Sequence, residues 1–216
     1  MFRFLFIIAL LAKYFFIYFL LKFGWYKKPK QKILRNFFEQ AGGAFIKFGQ
    51  LLAVRVDVLP KEYSLEMIGL FDNVKPFPYE DVERIFLQEL GTTPDKIFKD
   101  FQKKPFASAS FGQVHGAKLE NDHIVAVKIL RPRIEEKVAV DFFIVDILAF
   151  IADLKFKFDA LPWKEFAEEF KKWTKDELDY HIEAECMETI RKANTNKNVI
   201  IPKVYPHLST RRILTE

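Results

Sequence analysis

The chain's most chemically suggestive residue is a lysine inside a β-branched run: Lys128 closes Val125-Ala126-Val127-Lys128 within Ile124–Leu130. Upstream lies a run of small residues, Ala107-Ser108-Ala109-Ser110, followed by Phe111 and Gly112. Small residues in a turn between strands let backbone N–H groups approach phosphate oxygens. A lysine on the third strand then reaches the α- and β-phosphates of a nucleotide. Such an ammonium needs a glutamate from a nearby helix, because an unpaired buried charge is costly. The tetrapeptide alone also fits an exposed edge lysine. Glu177, Asp179 and Glu183 form an acidic cluster downstream. On one continuous helix, Asp179 and Glu183 would share a face and Glu177 would lie well round from Glu183. By itself the cluster fits a solvated helix face equally. The four histidines show no metal-ligand spacing, and one cysteine, Cys186, excludes an internal disulfide.

The elements that must position these residues follow from periodicity. Residues 33–56 carry apolar side chains at helical spacing, including Leu34, Phe37, Phe38, Ala41, Phe45, Phe48, Leu51 and Leu52, weakened at Gly42-Gly43. Lys47 on that segment is ordinarily a surface lysine. Helices are expected over 61–71 and 79–90, separated by the extended Lys75-Pro76-Phe77-Pro78. Short strands are expected at Phe106–Ser110 and Val114–Leu119, then a turn at residues 120–123 and the strand Ile124–Leu130. An apolar helix over 134–158 and a longer amphipathic one over 162–193 follow, with Pro162 in the first turn. Val199–Ile201 and Arg211–Thr215 have strand character. Helices, a three-strand meander, helices and strands make an α+β chain. The small-residue turn and strand lysine follow the logic of a kinase N-terminal lobe.

Half of the 216 residues are hydrophobic, 25 of them Phe, and the net charge is +5. The charge is uneven. Residues 1–38 hold eight basic residues (Arg3, Lys13, Lys22, Lys27, Lys28, Lys30, Lys32, Arg35) and no acidic one, so residues 39–216 are net −3. Phe4–Ala12 and Tyr14–Leu21 are apolar on either side of Lys13, followed by Trp25, Tyr26 and lysines. That order suits a membrane–water interface with the basic side cytoplasmic, through a spanning or an interfacial helix. A helix buried against the rest of the fold has the same composition. A nucleic-acid partner is disfavoured, since the apolar residues between the charges suit lipid better than phosphate tracking.

Four motifs occur in order: Lys47-Phe48-Gly49-Gln50, Pro105 to His115, Val125–Lys128 with Arg131-Pro132, and Glu177-Leu178-Asp179-Tyr180 with Glu183-Ala184. From about residue 40 onward the chain resembles the UbiB-type atypical kinases, also called the ADCK family. The resemblance implies an α+β fold: a protein-kinase-like N-lobe of antiparallel sheet plus helices, with an added N-terminal helical extension. It makes Lys128 the nucleotide-phosphate lysine and Glu183 its helix partner. Ala107, Ser108, Ala109 and Ser110, with Phe111 and Gly112, match the alanine-rich loop, whose third position, Ala109, restrains nucleotide choice. Ser108 departs from a plain triple alanine. Lys47, Gly49 and Gln50 match the Lys-x-Gly-Gln motif, on a helix that covers the protein-substrate site. Glu177 and Asp179 match the Glu-x-Asp motif that faces it. Glu216 falls where the family's strand runs into the hinge, at the cofactor-binding edge.

The resemblance further implies ATP as cofactor, with Mg²⁺ ligands in a C-lobe absent from this chain. Asp141-Phe142-Phe143 is unlike a metal-binding Asp-Phe-Gly, having a bulky residue where glycine belongs. The expected organisation is a membrane-associating segment over 1–32, a helical extension over 33–104, and an N-lobe over 105–216 truncated before its C-lobe. The implied task is ATP-driven support of ubiquinone biosynthesis at a membrane, inactive in these residues alone. Lipid or isoprenoid quinone precursors and quinone-biosynthesis proteins are the implied partners. A non-catalytic scaffold module is the alternative.

Overall fold

The computed structural model describes residues 2–25, 27, 29–55, 59–71, 74–155 and 163–216. Tyr26, Lys28, residue 56, residues 156–158 and Pro162, on which sequence expectations fell, lie outside them. Two compact units are present, Met1–Val74 with Glu135–Lys172, and Lys75–Ile134 with Trp173–Glu216. These differ from the segments 33–104 and 105–216. Residues 79–101 supply core to the sheet, whereas the helix after it belongs with the N-terminal helices.

The first unit is helical: α1 (Phe2–Lys22), α2 (Lys30–Ala41), α3 (Ala44–Val54), α4 (Lys61–Ile68), nearly all of α7 (Ile134–Lys155) and the start of α8 (Trp163–Asp176). The single helix expected over 33–56 is two. Gly42 and Gly43 adopt φ of 64° and 56°, a left-handed conformation that ends α2 and caps α3. A side chain at Gly43 would collide with the Asp141 carboxylate. The many phenylalanines fill this unit edge to face. Phe48 packs at 5.7 Å from Phe166 and 5.2 Å from Phe170, and Phe142 at 6.2 Å from Phe170.

The second unit is built on an antiparallel sheet of order β1-β3-β4-β5, with β2 also on β3. The strands are β1 (Asp100–Phe101), β2 (Ala107–Ser108), β3 (Gly112–Lys118), β4 (Ile124–Leu130) and β5 (Ile213–Thr215). β3 and β4 form a hairpin from Gly112↔Leu130 to Lys118↔Ile124. Its turn falls where expected, with Asp122 left-handed at φ 65°. Apolar alternation on β4 sends Val125, Val127 and Ile129 into the core beneath α5 (Tyr79–Leu90), against Val82, Ile85 and Phe86. Lys128 therefore points to the opposite face.

Several boundaries differ from the sequence expectation. β1 and the short α6 (Pro94–Ile97) are additional elements. Val199–Ile201 forms no strand, because asparagine turns claim its backbone: Val199 N–H donates to the Asn196 carbonyl (3.1 Å) and Asn194 Nδ2 donates to Val199 O (2.8 Å). The helix expected over 162–193 is interrupted. α8 ends at Asp176 and α9 (Tyr180–Ala193) begins after Asp179, whose carboxylate caps it by accepting from His181 N–H (3.0 Å).

Candidate functional site

Lys128 stands near the middle of β4, opposite Val114 on β3 and Leu214 on β5. Its Nζ lies 2.6 Å from Glu183 Oε1 and 3.0 Å from Glu216 Oε1. Glu183 comes from the first turn of α9, and Glu216 continues the β5 strand, exchanging backbone hydrogen bonds with Ala126. Burial alone would lower the lysine pKa. The hydrogen bonds and charges of Glu183 and Glu216 outweigh it and raise it, so the ammonium is held charged.

Above this ion triad opens a cavity of about 460 Å³. Its walls are residues 109–114 of the small-residue loop and β3, then Lys128, Asp176, Glu177, Tyr180, Ile182 and Glu183. A side chain at Gly112 would come within 2.7 Å of both Ile129 O and Tyr180 Oη, so only glycine fits beneath that tyrosine. Burial, then the charges of Glu183, Glu177 and Glu216, push the Tyr180 phenol above its ordinary value, leaving a neutral donor at the cavity wall. The cavity thus sets one charged lysine, already paired with Glu183 and Glu216, beside small-residue backbone, a phenol and the carboxylates of Asp176 and Glu177.

The expected residues fall in several places. Ala109, Ser110, Phe111, Gly112, Glu177 and Glu183 line the cavity with Lys128. Ala107 and Ser108 lie just beyond it on β2, shorter than expected because Ala109 N–H turns to the Gly112 carbonyl (2.8 Å). Glu216 reaches Lys128 itself, a pairing its position in the sequence did not foreshadow. Asp179 does not share an α9 face with Glu183: as the N-cap it points back to His181 N–H, with Arg211 Nε 3.7 Å away. Lys47, Gly49 and Gln50 are on α3 of the other unit, where Gln50 Nε2 donates to Leu70 O (3.1 Å).

Two supports of the loop carried no assigned role in the sequence. Arg131 Nη2 donates to Ser108 Oγ (2.9 Å), Ala109 O (3.0 Å) and Lys75 O (2.7 Å), and its own N–H donates to Phe111 O (2.7 Å). One guanidinium thus ties the loop to the segment before α5. Its only sequence signal is the Arg-Pro that ends β4. Gln113, fully buried, accepts from Phe77 N–H (2.8 Å), and its Nε2 lies 3.0 Å from His115 Nε2. His115 Nδ1 lies 2.7 Å from Gln102 O, which can only accept, so the proton sits on Nδ1 and Nε2 accepts. Burial lowers the His115 pKa against that backbone hydrogen bond, keeping the ring neutral. Among the described residues no three His, Cys, Asp or Glu side chains gather to hold a metal ion.

The ABC1 atypical kinase-like domain matches residues 69–216. A Clostridium pasteurianum protein from a hydrogenase 1 5′ region is 38% identical over 188 residues, covering 87% of this chain and 36% of its own. A probable protein kinase UbiB from Pseudomonas aeruginosa is 33% identical over 190 residues, covering 84% and 36%. A Mycobacterium tuberculosis protein solved in complex with erythromycin is similar at a TM-score of 0.52 and 27% identity, covering 81% of this chain and 44% of that one. The chain thus spans less than half the length of these proteins.

Proposed function

Because the chain belongs to the ABC1 atypical kinase-like family, we propose that it supplies the nucleotide-binding lobe of a UbiB-type kinase-like ATPase serving isoprenoid-quinone biosynthesis at a membrane. The observation that carries this reading is the Lys128–Glu183 ion pair at 2.6 Å, on the cavity walled by the small-residue loop. That strand-lysine and helix-glutamate pairing is how kinase-like lobes hold α- and β-phosphates.

In this reading Lys128 meets the phosphates, Glu183 aims it, and residues 109–112 bring backbone close to the phosphate oxygens. Tyr180 donates from the cavity wall. Glu216 competes with the nucleotide for the lysine and yields when phosphate enters. Lys47, Gly49, Gln50, Glu177 and Asp179 form the regulatory motifs. Mg²⁺ would neutralise the phosphates; Glu183 and Glu216 are engaged by Lys128, and among the described residues no three carboxylates gather around it. We expect the 216-residue chain to bind ATP without turning it over.

Titration of the chain with a fluorescent ATP analogue tests this. Saturable binding that Lys128→Ala weakens at least about tenfold, the worth of one charge-assisted contact, supports it. Equal binding by both proteins removes Lys128 from the site, and Lys128-dependent hydrolysis by the chain alone contradicts the assigned division of labour. The membrane part of the reading rests on α1, whose most apolar 18 residues have a mean hydropathy of 2.4 and are 11% buried.

A further inference from the structure

Of the three charged residues of α1, Arg3 and Lys13 turn toward the helical unit, and Lys22 is exposed at its C-terminal end. Arg3 Nε and Nη2 donate to Asp141 Oδ1 (2.9 Å) and Oδ2 (2.8 Å). Asp141 is fully buried on α7 and also accepts from Ala44 N–H (3.0 Å) at the start of α3. Half-way along, Lys13 Nζ donates to Gln40 Oε1 (3.0 Å) on α2, and the Tyr14 ring meets Phe37 edge-on at 5.5 Å. Ile7 and Leu10 are buried between these anchors. α1 is therefore held against its own unit at its N-terminal end and at its middle. A helix of this length extends about 31 Å. Drawing it out across a bilayer would strip Asp141 of its cation and leave a buried carboxylate uncompensated.

The side of α1 turned away from those anchors is apolar throughout: Leu5, Phe6, Phe15, Phe16 and Phe19 are all exposed. α7 repeats the arrangement. Val138, Asp141, Phe142, Val145 and Ala149 face inward, while Phe143, Ile147, Phe150 and Leu154 project outward at spacings of four, three and four. The two helices meet at the N-terminal end of α1, where Phe4 and Phe143 pack with ring centroids 6.1 Å apart. At and beyond the C-terminal end of α1 stand exposed Lys22, Lys27, Lys30 and Lys32, in a stretch without an acidic residue. The phenylalanine face has its cationic margin at the α1 end, complementary to a lipid surface bearing negative headgroups, while α7 carries exposed Glu135, Glu136, Asp146 and Asp153, of which Asp146 is paired with Lys171.

We propose that α1 and the outer face of α7 form one monotopic surface that seats on an anionic bilayer, with α1 lying in the interface instead of crossing it. This rests on the membrane association proposed above and extends it to a second helix that hydropathy alone does not mark. Lys13 then needs no path through hydrocarbon, because its ammonium is engaged on the protein side.

The test is flotation of the whole chain with phosphatidylcholine vesicles with and without phosphatidylglycerol. Wild type should co-float, more so with phosphatidylglycerol. Serine in place of Phe143, Phe150 and Leu154, with α1 untouched, should reduce partitioning at least about tenfold. Phe150→Cys in a Cys186→Ser background, labelled with an environment-sensitive dye, should shift to the blue on vesicle addition, a readout independent of whether the triple variant folds. A tag at residue 1 should stay accessible to protease added outside sealed vesicles. If wild type ignores both vesicles, the membrane association itself fails and this proposal with it. Unchanged flotation of the triple variant without a dye shift overturns the α7 face alone. A protected tag shows a crossing helix and overturns the monotopic arrangement. A concentration-dependent dimer, lost in the triple variant while flotation is unchanged, assigns the face to a second copy and overturns the proposal.

Discussion

Replacing Lys128 with methionine separates two consequences of the same ion triad. The lysine side chain is 26% exposed, Glu216 11% and Glu183 41%. Removing the cation leaves Glu216 desolvated beside β4, whereas Glu183 regains water. One buried carboxylate without its partner costs up to about 3 kcal/mol, and the half-exposed one adds under about 1 kcal/mol after screening. We expect Lys128→Met to lower unfolding stability by about 2 kcal/mol and to weaken nucleotide binding at least about tenfold. Adding Glu216→Gln should restore most of the stability, because the orphaned charge is gone, yet none of the affinity. Urea unfolding followed by tryptophan fluorescence, beside a nucleotide titration, measures both. The pH dependence has a defined sign. The Lys128 pKa is raised on folding, so its contribution is fully present below the unfolded value of about 10.5 and is lost as pH rises through the higher folded value. A Glu216→Gln change that fails to rescue stability would refute the claim that Glu216 depends on the lysine. Rescue of affinity would refute the assignment of Lys128 to the phosphates.

Arg131→Ala should loosen the small-residue loop, costing about 1–2 kcal/mol for its lost hydrogen bonds and weakening nucleotide binding several-fold, read by the same titration. Gly112→Ala forces Tyr180 aside and should weaken nucleotide binding while Tyr180→Phe, which keeps the ring, leaves the fold intact by circular dichroism. His115 is held neutral with a lowered pKa, so the unfolded chain takes the proton first. Stability should fall as pH drops below about 6.5, by at most about 1.4 kcal/mol per unit, and His115→Gln should abolish that slope. Asp141→Ala should destabilise the helical unit by about 3 kcal/mol, measured by thermal unfolding, since Arg3 and Ala44 N–H both lose their acceptor.

Much of the second unit is legible in the chain because its signals are local. Alternation in Ile124–Leu130, the four-residue turn before it, and the helical spacing over 79–90 each fix an element within a few residues, and all three stand where expected. Elements fixed by non-local pairing are less legible. β1 is two residues long and exists only because β3 runs beside it. The break at Glu177–Asp179 interrupts an unbroken amphipathic pattern, because Leu178 is drawn into the core and Asp179 serves as a cap. Of the site, the loop and Lys128 are visible from residue types, but the convergence of Glu183 and Glu216 on one ammonium joins residues 55 and 88 positions away, and spacing carries no trace of it.

The sequence by itself determined which chemistry was available: one lysine in a buried-strand pattern, small residues before it, an acidic cluster after it, and a basic, apolar first segment. Only the tertiary structure decided how those groups are used. It aimed two carboxylates at Lys128, assigned Asp179 to a cap, and turned Arg3 and Lys13 of the apolar helix toward the protein. The physical reason is range. Backbone propensity and periodicity act over one or two turns, whereas a charge is worth pairing wherever packing has already excluded water, and that place is known only once distant segments meet.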